Sequence, residues 1–227
     1  MSDAFNFDRH EWFNVEHVID QSDFVSSVWA REIERRIPLQ NLDFVTETFM
    51  TAGLKVYRAT LNSPVKANKI FAASGYSKST FHRTFETFAS FQLKLYQFLC
   101  NVAIDVYGEY LNGRDRSPHE FCRFSRDCIY SSHIAVPSKL VAEVYRANSP
   151  ISPLDFHPFV SRTAEVMHEY TRHRAHLGYR QFTRAGLTEV IRTLDYDILF
   201  SKINDCGSFP SVEQATRLER MLLSYIT

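Results

Sequence analysis

The spacing of the apolar residues is the feature that most constrains the fold of this chain. Apolar residues recur at intervals of three and four along most of the sequence, which is the period of an amphipathic helix. A half-buried strand would show strict alternation instead, and no convincing alternating stretch is present. Helix-ending residues interrupt the pattern, as at Pro38, Gly75 and Asn112-Gly113. The sequence therefore predicts an all-α fold of about nine or ten helices.

Length and composition are those of a folded globular protein. The chain has 227 residues, of which 44% are hydrophobic and 23% charged. No stretch approaches the roughly 18 apolar residues that a membrane span needs, and the N-terminus lacks the pattern of a signal peptide. The four cysteines show no CxxC or zinc-finger spacing and are expected to be reduced. We therefore expect a cytoplasmic protein without a membrane partner.

The charges are distributed unevenly along the chain. Its 26 basic and 26 acidic residues cancel, yet no Asp or Glu lies between Glu47 and Glu86. This acid-free window contains Lys55, Arg58, Lys66, Lys69, Lys78 and Arg83. A neutral chain with one strongly cationic segment fits a local anion-binding surface, and chance clustering on a solvated face is the alternative.

The acid-free window also predicts two short helices joined by a turn. Ser63-Pro64 is a typical helix start, with Ser63 as the N-cap, and Gly75 interrupts the apolar pattern before a second helix from residue 77. In that second helix Phe81 and Phe85 are four residues apart and can point inward. The outward positions are then Lys78, Ser79, His82 and Arg83. A helix that is positive and polar on its outer face suits the major groove of DNA.

Residues 70–85 resemble the signature of TetR-type transcriptional regulators, in which I-A-x-x-A-G-V-S leads into K-G-T-L-Y-x-H-F. The matching positions are Ile70, Gly75, Ser77, Lys78, Thr80 and Phe85, with hydrophobic Phe81 at the Leu position. The direct resemblance covers residues 44–100. It implies a homodimeric, DNA-binding transcriptional regulator, expected to be a repressor located in the cytoplasm with the nucleoid.

The resemblance also implies a domain order. We predict an N-terminal helical extension at residues 1–40, a helix-turn-helix DNA-binding domain at 41–90, and a helical ligand-binding and dimerisation domain at 91–227. Two C-terminal helices would form the dimer, and a small-molecule effector would change the separation of the two reading helices. No cofactor or metal is expected. The alternatives are a DNA-binding protein controlled by a protein partner and, less favoured, a helical enzyme.

Several positions depart from the family signature. Phe71 stands where the family usually has a small Ala, so the crossing of the two short helices is expected to differ. His82 replaces the usual phosphate-binding Tyr, and Thr84 replaces a His. Phe88 replaces a Lys that contacts phosphate. These differences affect the expected operator sequence more than the expected DNA-binding role.

Roles can be assigned within the predicted DNA surface. Lys78 and Ser79 are expected to reach base edges, because Lys suits guanine O6 and N7, while Thr80 and His82 would contact phosphates. Ser63 and the amides that follow it would hold a further phosphate at a helix N-terminus. The full predicted DNA-binding set is Ser63, Lys66, Ser77, Lys78, Ser79, Thr80, His82 and Arg83.

Two further sets of residues follow from aromatic and apolar content. An effector pocket is predicted from rings that carry both apolar surface and hydroxyl groups, with ordinary core packing as the alternative. Its members are Phe98, Tyr107, Tyr110, Phe124, Tyr130 and Tyr170. A dimer interface is predicted at the C-terminal helices, with packing against the protein's own core as the alternative. Its members are Ile191, Leu194, Ile198, Leu218, Leu222 and Tyr225.

The segment His168-Glu169-Tyr170-Thr171-Arg172-His173 resembles a zinc-protease motif but differs in spacing. That motif places its two histidines four residues apart on one helical face. Here His168 and His173 are five apart, about 140° round a helix. The sequence therefore predicts a polar helix face rather than a metal site.

Overall fold

The computed structural model describes residues 31–32, 35–60, 64–147, 158–203 and 212–227, without the side chains of residues 39–40, 130–135, 158, 196–203, 212 and 215. Within these ranges the chain is helical and contains no strand, which confirms the all-α prediction. The α-helices are α1 (Phe44–Ala59), α2 (Ala67–Ser74), α3 (Lys78–Phe85), α4 (Phe88–Asn112), α5 (Pro118–Ala135), α6 (Ser138–Ala147), α7 (Pro158–Arg172), α8 (Arg184–Ile203) and α9 (Val212–Ile226). Short 3₁₀ turns occur at Ile37–Gln40 and Ala175–Leu177. Of the predicted N-terminal extension, most lies outside the described residues.

Side-chain caps explain where several helices begin. The carboxylate of Asp43 accepts hydrogen bonds from the amides of Val45 and Thr46 at 3.1 and 3.0 Å, before α1. At α5, Ser117 and Glu120 form a reciprocal capping box, in which the Ser117 amide donates to Glu120 Oε2 at 2.8 Å. These side chains satisfy amides that have no partner within the helix.

The predicted helix start at Ser63-Pro64 is wrong. The helix begins at Ala67, with Lys66 as an N-cap that supplies no side-chain hydrogen bond, and Ser63 itself lies outside the described residues. The physical reason is a contact distant in sequence. Val65 is buried and its amide donates to Glu143 Oε1 at 3.2 Å, which anchors this stretch, and the backbone of Lys66 is extended at φ −102° and ψ 141°. Residues 64–66 are therefore not helical.

The described residues form two compact units. Those within Ala30–Val102 and Val136–Pro158 form one, here called the N unit, and those within Ala103–Ala135 and Phe159–Thr227 form the other, the C unit. The N unit thus contains α1 to α3, the first part of α4, and α6. The predicted domain boundaries at residues 40 and 90 stay predictions.

The core of the N unit is built from phenylalanine. Phe49 of α1 lies against Phe81 and Phe85 of α3, with ring centroids 5.3 and 5.6 Å apart in edge-to-face geometry. Phe91 of α4 completes the cluster at 5.3 and 5.0 Å from the same two rings. All four rings are buried, and each buried Phe contributes about 1.5–3 kcal/mol. This cluster, termed the Phe cluster below, fixes α3 on α1 and α4.

Gly53 shows how closely α1 and α4 approach each other. A Cβ atom at this position would lie 2.5 Å from Cζ of Phe91. Glycine inside a helix costs about 0.5–1 kcal/mol relative to alanine, so its presence in α1 needs a reason. The close approach of the Phe91 ring supplies that reason.

The C unit contains a second aromatic core and a buried arginine. The rings of Phe121 and Tyr170 are stacked at 5.5 Å, and Tyr179 meets Phe121 edge-on at 5.7 Å.

Arg116 is 4% exposed and donates to the carbonyls of Leu111 and Tyr110 at 2.7 and 3.1 Å. These carbonyls belong to the last turn of α4, where helix acceptors lack partners and the helix dipole is negative. Arg116 therefore caps the end of α4.

Most of the predicted dimer residues lie in the core of their own unit. Ile191, Leu194, Leu218 and Leu222 are buried within the described protomer, where α9 packs against α5 and α8. These four side chains thus follow the alternative explanation of packing against the protein's own core. Tyr225 is half-buried, and its hydroxyl donates to the Thr183 carbonyl at 3.3 Å. The side chain of Ile198 lies outside the described residues, and the homodimer stays a prediction.

No helix in the described ranges has both the length and the apolar character needed to cross a bilayer.

Candidate nucleic-acid interface

A sharp turn at Gly75 separates α2 from α3. Its φ of +73° lies in the left-handed region, and its amide donates to the Phe71 carbonyl at 3.0 Å to close α2. Nothing lies within 4 Å of a Cβ built at this glycine, so the requirement is for backbone conformation and not for space. Ser77 then caps α3, with its Oγ accepting from the Thr80 amide at 3.1 Å. The predicted break at Gly75 and the predicted cap at Ser77 are confirmed.

α3 separates its buried and exposed side chains as the sequence predicted. Phe81 and Phe85 are 0% and 1% exposed and belong to the Phe cluster. The outward residues Lys78, Ser79, His82 and Arg83 are all exposed. At about 100° per residue these four cover an arc of roughly 140° on the helix. The outer face of α3 is therefore continuous, polar and cationic.

The positive charges of α3 and of the start of α2 take part in no ion pair within the described part of the chain. Lys66, Lys69, Lys78 and Arg83 are exposed, and no ion pair among the described residues involves them. By contrast, the described arginines elsewhere frequently meet carboxylates, as Arg174 does with Asp115 at 2.7 Å. We call Lys66, Lys69, Lys78 and Arg83 the basic set. Such unpaired cations are available to bind an external anion.

His82 carries a hydrogen bond that determines what its outer nitrogen can do. Nδ1 lies 2.7 Å from the carbonyl oxygen of Glu86. A carbonyl can only accept, so Nδ1 carries the proton in this contact. The neutral ring then presents an Nε2 lone pair to solvent, and only the protonated ring donates a hydrogen bond outward. His82 can therefore donate to a phosphate in its protonated form.

The hydroxyl groups of Ser77 and Thr80 already take part in the capping of α3. Their hydroxyl oxygens lie 3.0 Å apart, and the Ser77 oxygen also accepts the Thr80 amide. Ser77 is exposed and Thr80 is half-buried. Both therefore lie at the start of α3, where Ser77 positions the exposed Lys78 and Ser79.

A polar network that the sequence did not indicate lies in the N unit. The Glu143 carboxylate of α6 accepts from the Tyr57 hydroxyl at 2.7 Å, from Gln92 Nε2 at 2.6 Å and from the Val65 amide at 3.2 Å. Burial, together with this carboxylate, raises the pKa of Tyr57 well above its ordinary value. The network joins α1, α4 and α6 to the residues that lead into α2. Its hydrogen bonds join residues that are 35 to 86 apart in sequence, so no local sequence signal could have identified it.

Two residues next to α3 were also missed by sequence reasoning. Glu86 has φ 62° and ψ −61°, and the Thr87 amide donates to the Phe85 carbonyl at 2.6 Å across it. This is a classic γ-turn, which is rare and strained for a non-glycine residue. Lys94 of α4 is exposed, with its Nζ 5.6 Å from the Phe85 ring centroid. It adds a positive charge to the start of α4, where Phe88 is half-buried and packs on Phe91.

The residues predicted to form an effector pocket are mostly core residues of the C unit. Tyr107, Phe124 and Tyr170 are buried, and the Tyr107 hydroxyl lies 2.8 Å from Ser125 Oγ. The cavity that Tyr107 lines has a volume of about 10 Å³, room for about one water molecule. Tyr110 is half-buried, and Phe98 is half-buried in the N unit. The side chain of Tyr130 lies outside the described residues.

His168 and His173, the two histidines of the segment compared with a zinc-protease motif, contact different residues in the structure. Glu169 binds Arg172 at 2.9 Å and His173 at 3.4 Å, while the His168 ring lies 5.9 Å from that of Phe182. Within the described residues, no group of three His, Cys, Asp or Glu side chains is placed to hold a metal ion. Among the cysteines, burial raises the pKa of both Cys122 and Cys128 above the ordinary thiol value.

Comparison with known proteins adds no relative: no protein-family model matches the chain, and no curated protein or solved structure matches it either.

Proposed function

We propose that this protein is a sequence-specific, DNA-binding transcriptional regulator whose α3 enters the major groove. The observation that carries the proposal is the outer face of α3, which is exposed, cationic and held on the Phe cluster. The major groove is about 12 Å wide and admits one helix, about 10–12 Å across with its side chains. The sequence resemblance to TetR-type regulators supports the same function independently of the structure.

The support for α3 as the reading helix is partly mechanical. A reading helix must present its side chains in a fixed orientation, because phosphate contacts set the register in which bases are read. The ring contacts of Phe81 and Phe85 with Phe49 and Phe91, three of them edge-to-face and one tilted, provide that rigidity. Lys78 and Ser79 lie in the first turn of α3 and are proposed to contact base edges.

Phosphate contacts are proposed at the borders of the reading helix. Lys66 and Lys69 lie at the start of α2, where no side chain caps the helix amides, and Arg83 lies near the end of α3. Free amides at a helix N-terminus together with nearby cations favour an anion. His82 adds a phosphate contact when its ring is protonated. Ser63 lies outside the described residues, and the helix that it was expected to cap begins at Ala67.

The proposed regulator acts as a homodimer and responds to a small-molecule effector. Two copies would place their α3 helices one DNA turn apart, about 34–36 Å, so that the operator is a palindrome. Selection of bound sequences from a random pool of duplex DNA tests DNA binding by the protein and, through the spacing of the repeat, the arrangement of the dimer. We expect enrichment of an inverted repeat with this spacing, whereas an unstructured pool after selection would contradict the proposal.

A charge-reversal pair tests the reading helix itself. We expect Lys78→Glu to abolish binding to the selected sequence at low salt, because it places a carboxylate among phosphates. Arg220→Glu is the matched control, since Arg220 is exposed on α9 in the C unit and the charge change is the same. Equal binding by the two variants, measured by fluorescence anisotropy, would show that α3 does not read DNA.

A further inference from the structure

A groove in the C unit is a described feature that the DNA-binding proposal leaves unused. It has a volume of about 270 Å³ and lies between the end of α7, the 3₁₀ turn Ala175–Leu177 and residues 179–182. This volume is near the lower end of the range for small-molecule sites, about 300–1,000 Å³. Its size suits a ligand of about one ring. His168, the first histidine of the segment compared with a zinc-protease motif, lines the groove.

The charge of the groove is positive. Its lining includes Arg172, Arg180 and His168, and none of the described residues that line it carries a carboxylate. Arg180 is exposed, and within the described part of the chain its guanidinium makes no hydrogen bond or ion pair. Arg172 donates to Glu169 through Nη2 in an exposed pair, a type that contributes little free energy. Both guanidinium groups are therefore available to an external anion, which they can bind through two parallel hydrogen bonds.

The groove also offers an aromatic surface. The Phe182 ring is half-buried and lies 5.9 Å from the ring of His168 and 5.3 Å from that of Tyr225. Those contacts hold the ring in place without covering it completely. The site thus combines a flat apolar wall with cations, which is the chemistry that recognises an organic acid with a flat body.

Backbone and side-chain bonds hold the groove in shape. Tyr179 is buried, and its hydroxyl donates to the Arg116 carbonyl at 2.8 Å. The Arg180 amide donates to the Ile226 carbonyl at 2.8 Å, and Gly178 turns the chain with a φ of +93°. The segment that carries Arg180 is therefore held in place by the Tyr179 hydroxyl and by the Arg180 amide. A preformed site binds with a smaller loss of conformational entropy.

We propose that this groove binds a small organic anion, a carboxylate or phosphate monoester with a flat apolar body, between Arg172, Arg180 and Phe182. The proposal does not rest on the DNA-binding function, and its test uses no DNA. Benzoate and phenyl phosphate are the probes, because they share the anionic flat body and differ in the acid. Benzyl alcohol is the uncharged control of similar shape.

Binding is measured by protein-observed NMR titration of the full chain. We expect at least one of the two acids to saturate at millimolar concentration and to shift the amides of residues 168–182, and we expect benzyl alcohol to bind at least tenfold more weakly. The affinity is expected in this range because probes this small make few contacts. Binding by only one acid identifies the preferred group and supports the proposal. Shifts outside this segment, or no binding by either acid, would overturn it.

A pair of arginine variants then tests the assigned cation. We expect Arg180→Gln to weaken binding of the acid about tenfold, because it removes one charged bidentate partner. Arg184→Gln is the matched control, since Arg184 is exposed, pairs with Glu165 and does not line the groove. Thermal unfolding checks that both variants are folded, and Arg172→Gln serves in place of Arg180→Gln if that variant unfolds. Equal affinity of the Arg180 or Arg172 variant and the control would overturn the proposal.

Discussion

At the residue scale, Glu86 is the position where the backbone conformation conflicts most clearly with the side chain. A positive φ costs a residue with a Cβ about 1–2 kcal/mol, and Glu86 adopts it to end α3 and start α4 within two residues. Because Glu86 is exposed, its side chain gains little packing in return. The conformation is imposed by the Phe cluster, which fixes Phe85 and Phe91 on either side.

Replacing Glu86 by glycine should stabilise the protein. Glycine adopts a positive φ at little steric cost, so we expect Glu86→Gly to raise the free energy of unfolding by about 1 kcal/mol after its own entropic cost. For a chain of this size the melting temperature would rise by roughly 2–4 °C, measured by calorimetry. Glu86→Ala is the control, because it removes the same charge and keeps the strain. An equal gain in both variants would attribute the effect to charge rather than to the backbone.

At the element scale, Glu143 shows how distant helices position the start of the helix-turn-helix. Its carboxylate accepts hydrogen bonds from α1, from α4 and from the Val65 amide before α2. A buried donor that loses its acceptor costs about 1–3 kcal/mol. Glu143 therefore affects both the packing of α6 and the point where α2 begins.

Removing this carboxylate should destabilise the N unit. We expect Glu143→Ala to lower the free energy of unfolding by about 2–4 kcal/mol, since Tyr57, Gln92 and Val65 each lose an acceptor. Denaturant unfolding measures the loss, and hydrogen exchange at the Val65 amide should become faster. The exposed Glu189, which pairs with Arg192 on the same helix, provides the control Glu189→Ala. A similarly small effect of both substitutions would mean that the network does not hold α6 in place.

The helices themselves were largely predictable, and the contacts between them were not. Ser77, Gly75 and Asn112-Gly113 act through neighbours within a few residues, so local sequence identified the ends of α2 and α4 and the start of α3. The Phe81 and Phe85 pair was assigned to the core correctly because helical period alone separates two faces. The start of α2 was misplaced because Glu143, 78 residues further along the chain, binds the Val65 amide. In the same way, the groove around Arg180 depends on a bond to Ile226 that no local pattern reveals.

At the scale of the whole molecule, buried tyrosines couple stability to alkaline pH. Burial raises the pKa of Tyr57, Tyr107 and Tyr179 above the ordinary value of 10.0. Above about pH 10 the unfolded chain releases these protons, whereas the folded chain retains them. The unfolded state then binds fewer protons, so the free energy of unfolding falls as the pH rises. Below pH 10 both states keep the protons and these groups leave stability unchanged.

This coupling predicts a loss of stability confined to alkaline solution. We expect denaturant midpoints to be unaffected by these tyrosines from pH 8 to about 10 and to decrease steadily above it. Tyrosinate absorbance of the folded protein should show fewer titrating rings than that of the denatured protein. If all eleven tyrosines titrated together in the folded protein, the three rings would have to be accessible to solvent.

The charge distribution of the whole chain determines how DNA binding should respond to salt. The chain has no net charge, so long-range attraction by the molecule as a whole cannot supply affinity. If the proposed DNA binding holds, its affinity must come from local neutralisation of phosphates by the basic set within the acid-free window. Each phosphate neutralised contributes about −0.9 to the slope of log K against log salt.

We expect Lys69→Gln to make this slope less steep by about 0.9 for each copy bound, measured by anisotropy over a series of salt concentrations. Arg220→Gln removes the same charge from α9 and should leave the slope unchanged. A slope near zero for the unmodified protein, or the same change in both variants, would place the DNA contacts outside the basic set.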